Sequence, residues 1–245
     1  MDKIRIHRFE TIVSTNSWLR SLDGGTPGCE YELAVTEFQT AGRGQRGNTW
    51  ESEPGMNLLF SILAHPGDVK VQEQFFISES IALAVADCVS DLAGDGFTVK
   101  WPNDIYWNDC KLAGILIENT LQGSRILDSI IGVGIDVNQT VFKSDAPNPV
   151  SLKNIAGRDF DRDALLDDIL ARFISNMNSS HSTVHERYHA RLYRSAGYHR
   201  FRDSGGQFLA RIDHVRTDGC LVLDVQGEGL RTYEFKQVAY VPDEK

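Results

Sequence analysis

An apolar stretch, LAVTEF (33–38), runs into a loop rich in glycine and arginine, GRGQRG (42–47), and no helix opens after it. That order restricts the fold more than any other feature of the chain. The loop matches G-x-G-x-x-G, and a dinucleotide-binding unit would start a helix at once, because the helix N-terminus holds the pyrophosphate. Here the chain continues as NTWESEPG (48–55), whose Pro54 and Gly55 indicate an extended path. The same residues nearly fit GxxxxGK[ST] from Gly42 to Thr49, but Asn48 stands where the phosphate-binding lysine belongs. What remains, beside a ligand-free surface loop, is an anion site. Glycine backbone can approach a ligand closely, and Arg43 and Arg46 bring charge.

The rest of the chain alternates between strand and helix periods. Ile4 and Ile6, with basic residues between them, read as a half-buried strand. Ser14-Thr15-Asn16 sits where a helix can begin, since short polar side chains cap free N–H groups. NLLFSILA (57–64) reads as an apolar strand. Residues 74–93 read as a helix with Phe75, Ile77, Ile81, Val85, Cys88, Val89 and Leu92 on its apolar face, ended by Gly94-Asp95-Gly96. Short strands are expected around 97–100, 105–107, 112–118 and 126–135, a polar loop over 144–149, and helices over 162–178 and 183–194. After Ser195-Ala196-Gly197 the character changes. FLARI (208–212), CLVLDV (220–225) and LRTYEF (230–235) are separated by glycine turns and suggest a small barrel leaning on the main body.

With 245 residues, 41% of them hydrophobic, the chain can bury a sizeable core. A net charge of −9 argues against a protein whose main task is gripping nucleic acid, which needs a basic surface. MDKIRIHRFE has no apolar signal region, and no apolar run approaches the about 18 residues that cross a bilayer. Cys29, Cys88, Cys110 and Cys220 are scattered without a CxxC. Neither a disulfide framework nor a cysteine zinc site is expected, and the expected compartment is a reducing cytoplasm.

Two motifs invite a metal. HERYH (185–189) has the spacing that puts two histidines on one helical face, as a zinc peptidase needs. No third ligand is evident, and Arg187, Arg191 and Arg194 read as a solvated face. DFDRD (159–163) starts like a calcium loop, but Ala164 and Leu170 replace the required glycine and glutamate. It reads as a helix-initiating acidic cluster. KWPNDIYW (100–107) is different. A turn between two strands accounts for it alone. Lys111 then opens an apolar strand in which Gly114 lets a ligand approach the backbone. A second lysine near Asp104 suits a charged cluster that handles a phosphate and its counterion.

GRGQRGNTW, KWPNDIY and KLAGILIE (111–118), in that order and at that spacing, resemble the biotin–protein ligase family. Ser14-Thr15-Asn16, Gln39, GVGIDVN (132–138) and the terminal DSGGQFLARIDHVRTDGCLVLD fit the same family, so the resemblance covers essentially the whole chain. It implies an α+β fold. A mixed-sheet catalytic domain like that of class II aminoacyl-tRNA synthetases would span residues 1–195, and a small SH3-like β-barrel residues 196–245. It further implies activation of biotin by ATP as biotinyl-5′-AMP, then transfer to a lysine on the biotin-carrier domain of a carboxylase. Mg2+ would arrive with ATP rather than on protein ligands. Some members carry an N-terminal helix-turn-helix domain. Here the first biotin-site motif begins at Ser14, so a ligase without a repressor role or nucleic-acid partner is expected. The family includes monomers and edge-strand dimers, which leaves a homodimer open.

Carried over residue by residue, the resemblance assigns Lys111 and Arg43 to catalysis. Ser14, Thr15, Asn16 and Gln39 would bind biotin's ureido head, joined by Gly42, Arg43, Gly44 and Gln45 of the loop and by Lys111 and Gly114. Arg46, Trp50, Asn103, Asp104 and Asp136 would meet ATP. Two residues depart from the family pattern. Gln45 stands where some members have arginine, which lowers the charge over the adenylate. Asp136 stands where asparagine is common, which puts an acid near the nucleotide. A lipoate or octanoate ligase of the same fold is the nearest rival and has no ureido group to bind. A biotin-binding module without activity and a zinc peptidase built on HERYH are rivals of other kinds. Three glycines and two arginines predict a loop that ligand orders.

Overall fold

The computed structural model describes residues 3–44, 48–143 and 148–241. Alternating apolar residues build a first group of strands: β1 (Ile4–Ile12), β2 (Tyr31–Gln39), β3 (Leu58–Ala64), β4 (Phe97–Lys100), β5 (Asp104–Trp107), β6 (Cys110–Gln122) and β7 (Arg125–Ile135). They form one sheet in the order β1-β2-β3-β7-β6-β5-β4. β1 and β2 are parallel and the other neighbours antiparallel, so the sheet is mixed, as the sequence implies.

Five helices surround it: α1 (Thr15–Arg20), α2 (Phe75–Ala93), α3 (Leu152–Ala156), α4 (Arg162–Met177) and α5 (His181–Ala190). Their starts follow the capping chemistry. Ser14 is extended and its hydroxyl accepts from Ser17 N. Asp161 takes up the N–H groups of Asp163 and Ala164, which makes DFDRD the start of α4. α3 lies outside the expectations. It is a single turn closed by a Ser151–Asn154 capping box and by Gly157, too short to show a helical period.

Because side chains alternate along a strand, the sheet has two different faces. Leu33, Val35, Phe60, Ile62, Ala113, Ile115, Ile131 and Val133 point to one, where they join α2, α4 and α5 in the main apolar cluster. Ala34, Leu63 and Ile130 point to the other and meet Leu19 of α1. Ser61, Gly114, Gly132 and Gly134 share this second face by the same alternation. It therefore holds polar and small residues where a core would hold large ones.

The remaining strands, β8 (His199–Asp203), β9 (Gly206–Val215), β10 (Leu221–Val225), β11 (Gly229–Tyr233) and β12 (Ala239–Tyr240), form an antiparallel sheet in the order β11-β10-β9-β8-β12. The sequence suggests a barrel. Among the described residues this sheet is open: β11 and β12 are its edges, and no ladder joins them. At two residues, β12 is too short to pair along both β8 and β11. The sheet does lean on the first one. Phe201, Leu221 and Leu223 enter the main apolar cluster, and the Trp101 indole donates to Gly219 O at 2.9 Å. No helix among the described residues is long and apolar enough to cross a membrane.

Candidate active site

A cavity of about 1030 Å3 opens over the glycine face of the first sheet. Gly114 and Gly134 are a cross-strand pair on its floor. The Trp50 indole lies against both: a Cβ on Gly134 would stand 2.6 Å from it and one on Gly114 2.9 Å. Only glycine admits the ring there. Trp50 Nε1 is buried without a hydrogen-bond partner, a costly arrangement that a ligand or a shift of the ring relieves.

At one end sits a polar cluster in which Ser14, Thr15, Asn16 and Ser61 are all buried. Gln39 Oε1 accepts from the Thr15 N–H at 2.8 Å and from its hydroxyl at 3.1 Å. Asn16 Nδ2 donates to Glu118 Oε2 at 2.9 Å and faces Leu116 O at 3.4 Å, which fixes the amide's orientation. Asn16 Oδ1 therefore points at the Ser61 hydroxyl, 2.5 Å away, while Thr15 Oγ1 lies 2.6 Å from the same hydroxyl. The Thr15 and Ser61 hydroxyls share two protons among three oxygen–oxygen contacts, to Gln39, to each other and to Asn16, so the cluster is rich in acceptor lone pairs. In contrast, the Gln39 amide nitrogen has no hydrogen-bond partner among the described residues. Gly132 sits below; a Cβ there would strike Asn16 Oδ1.

The other end is charged. Lys111 Nζ pairs with Asp104 Oδ1 at 2.7 Å and lies 5.7 Å from the Trp50 ring centre. Asn103 ties its turn to β6: its side chain donates to Ile115 O and its carbonyl accepts from Ile115 N at 3.0 Å. Asp136 is buried beside Asn57, whose amide donates to it at 3.1 Å. Burial pushes its carboxyl well above the ordinary range, against the pull of Lys111. Lys100 donates to the Tyr106 hydroxyl at 2.8 Å, and burial lowers its pKa. Among the described residues, no three His, Cys, Asp or Glu side chains are grouped to hold a metal.

Comparison with known proteins places this constellation. The model of the biotin/lipoate A/B protein ligase family matches residues 9–136, more than half of the chain. The chain belongs to that family. A Mycobacterium tuberculosis relative, a biotin–[acetyl-CoA-carboxylase] ligase, is 33% identical over 224 residues, covering 87% of this chain and 81% of its own. A Bacillus subtilis bifunctional ligase/repressor BirA is 30% identical over 211 residues, covering 82% of this chain. The match spans 64% of that relative's length, so this chain accounts for less than two thirds of it. In fold, the chain resembles the biotin protein ligase from Aquifex aeolicus, solved with biotin and ATP. The TM-score is 0.79 at 22% identity, over 96% of this chain and 97% of that one.

Within this member of the biotin/lipoate ligase family, most residues picked from sequence line the one cavity: Ser14, Thr15, Asn16, Gln39, Arg43, Gly44, Trp50, Asn103, Asp104, Lys111, Gly114 and Asp136. Gly42 stands behind the lining, its carbonyl accepting from Trp50 N at 3.1 Å. Gln45 and Arg46 lie outside the described residues. Arg43 is held at 3.3 Å by Glu118, which also pairs with Arg20 at 2.8 Å. Sequence reasoning passed over Ser61, Gly132, Gly134 and Glu118. A lone serine inside an apolar strand, and glycines two apart in Gly132-Val133-Gly134, were the available signals.

HERYH is structural. His185 Nδ1 lies 2.6 Å from Glu79 of α2. His189 Nδ1 donates to His185 O at 2.8 Å, and its Nε2 accepts from Val215 N at 2.7 Å. Both nitrogens of His189 are used, so it has none for zinc. Of the arginines expected on a solvated face, Arg187 is exposed, Arg191 is half-buried and the Arg194 side chain is covered. Arg187 and Arg191 both pair with Asp87 of α2, and Arg194 donates to Val241 O.

Proposed function

We propose that this chain is an ATP-dependent biotin–protein ligase, which makes biotinyl-5′-AMP and passes biotin to a lysine on a carboxylase's biotin-carrier domain. The observation that carries the reading is the hydrogen-bond inventory of the buried cluster. It is rich in acceptor lone pairs at Thr15, Asn16 and Ser61, and it has a spare donor on Gln39. A cyclic urea supplies N–H groups and a carbonyl oxygen, which is the complement. Octanoate brings a methyl group to that place and lipoate a disulfide, and neither satisfies it. The name of the Mycobacterium tuberculosis relative supports the same substrate and acceptor class.

In the first step a biotin carboxylate oxygen attacks the α-phosphorus of ATP, and pyrophosphate leaves with the electrons of the broken P–O bond. Both reactants are anionic, so charge must be neutralised where they meet. Lys111 does this in our reading, with Asp104 holding its ammonium in place. Arg43 adds charge at the carboxylate, and Arg46 does so at the phosphates. Trp50 leaves the glycine floor and stacks on adenine, while Asn103 and Asp136 border the nucleotide. Gly42, Gly44 and Gln45 bring the loop over the anhydride. In the second step the acceptor's neutral amine attacks the carbonyl carbon and AMP leaves. Mg2+ bound to the nucleotide's phosphates would offset their charge, with Asn103 and Asp104 nearest to them in this reading. Residues 1–195 carry this chemistry, and residues 196–245 border the charged end through Phe235, Lys236 and Tyr240.

Calorimetric titration with biotin, lipoate and octanoate tests the substrate assignment. Biotin alone should bind tightly. Equal or tighter binding of octanoate or lipoate would move the chain to the other branch of its family.

A further inference from the structure

Glu118 stands on β6 outside the cavity lining, yet it touches both ends of the carboxylic-acid substrate's proposed site. Its Oε2 accepts from Asn16 Nδ2 at 2.9 Å and meets Arg43 of the glycine loop at 3.3 Å. Its Oε1 meets Arg20, in the last turn of α1, at 2.8 Å. Two segments distant in sequence, α1 through Asn16 and Arg20 and the glycine loop through Arg43, converge on one carboxylate.

Two consequences follow from the charges. An amide facing a carboxylate presents its NH2 group, never its oxygen. Asn16 Oδ1 is thereby committed to the other side, over Gly132 and toward Ser61, and the cluster becomes acceptor-rich. The second consequence concerns Arg43. One carboxylate between two guanidiniums leaves a net charge of +1. Arg20 cancels Glu118, so Arg43 is held in place without losing its attraction for an anion. Arg20, like Glu118, is absent from the cavity lining.

We propose that Glu118 and Arg20 are positioning residues for the substrate. Glu118 sets the hydrogen-bond polarity of the head-group pocket and holds the loop arginine, and Arg20 keeps that arginine's charge available. This rests on the biotin reading above. It adds a specific link between recognition of the polar head and placement of the loop's charge.

The test compares the full-length wild type with Glu118→Gln and Arg20→Gln, measuring binding of biotin and of its neutral amide, biotinamide, by competition. Glu118→Gln removes the charge that orients Asn16 and should weaken both ligands about tenfold. Arg20→Gln leaves the head-group pocket intact but lets Glu118 cancel Arg43. It should weaken biotin about threefold and leave biotinamide unchanged, so that the preference for the carboxylate shrinks. Melting temperatures and ATP binding, measured alongside, should match the wild type. Unchanged affinities in both variants, or equal losses for biotin, biotinamide and ATP, would overturn the proposal. Failure of the wild type to bind biotin at all would overturn the underlying reading and this proposal with it.

Discussion

Glu79 is buried in α2 at 3% exposure, and among the described residues its side chain hydrogen-bonds His185 alone, 2.6 Å away. Burial raises its pKa to about 8 and lowers that of His185. Both shifts favour the neutral pair, in which the carboxyl donates to Nδ1. A carboxyl whose folded pKa exceeds its unfolded value keeps a proton that the unfolded chain has released. The folded state loses stability as pH rises from the ordinary 4.5 toward about 8. Glu79→Gln keeps the shape and should remove that slope, a gain on the order of a few kcal/mol at pH 8 over the wild type. Denaturant titrations of both proteins from pH 5 to pH 9 would check it; parallel curves would show that Glu79 titrates normally. Asp136 follows the same sign inside the cavity. As pH climbs through its raised pKa, a charge appears beside the proposed phosphate site. Asp136→Asn should therefore hold its KM for ATP constant over the pH range in which the wild-type value climbs.

The pairing of β6 with β7 makes the floor of the cavity, and glycines at alternate positions keep it open. Gly134→Ala puts a methyl group where the Trp50 ring lies. Such overpacking costs about 1–3 kcal/mol when the neighbour cannot move. Here the neighbour sits on a loop, so the fold should melt within a few degrees of the wild type while biotin binding drops more than tenfold. Tryptophan fluorescence would report the displaced ring. The strands and helices that show a full period were legible in sequence: β2, β3, α2 and α4 fall within a few residues of their expected bounds. α3 and β12 were not, because one helical turn or two extended residues display no period, and β8 was not, because Phe201 is its single apolar residue. Site residues inside contiguous motifs were legible for the chemistry those motifs display. Ser61 and Glu118 were not: cross-strand pairing sets Ser61 beside Gly132, and Glu118, although it ends KLAGILIE, takes its role from contacts with α1 and the glycine loop that the linear order does not show.

Taken as one molecule, the chain closes its cavity with parts far apart in sequence. Phe235, Lys236 and Val238 of the second sheet's β11–β12 connection, with Ala239 and Tyr240 of β12, line the same space as Ser14 and Lys111. The ring of Tyr240 lies 5.4 Å from Lys100 Nζ, so this sheet borders the charged end. Lys236→Ala should raise the KM for ATP severalfold and leave biotin binding as it is, because the substituted charge lies away from the buried cluster. In this reading the cavity joins biotin to AMP, with Lys111 neutralising the charge where the two anions meet. Single-turnover pyrophosphate release measures that reaction directly. Wild-type protein with ATP and biotin should release pyrophosphate, and with octanoate or lipoate it should not. Lys111→Ala should slow release about a hundredfold or more at an unchanged melting temperature. Release driven by octanoate or lipoate instead, or a Lys111→Ala rate near that of the wild type, would contradict the account.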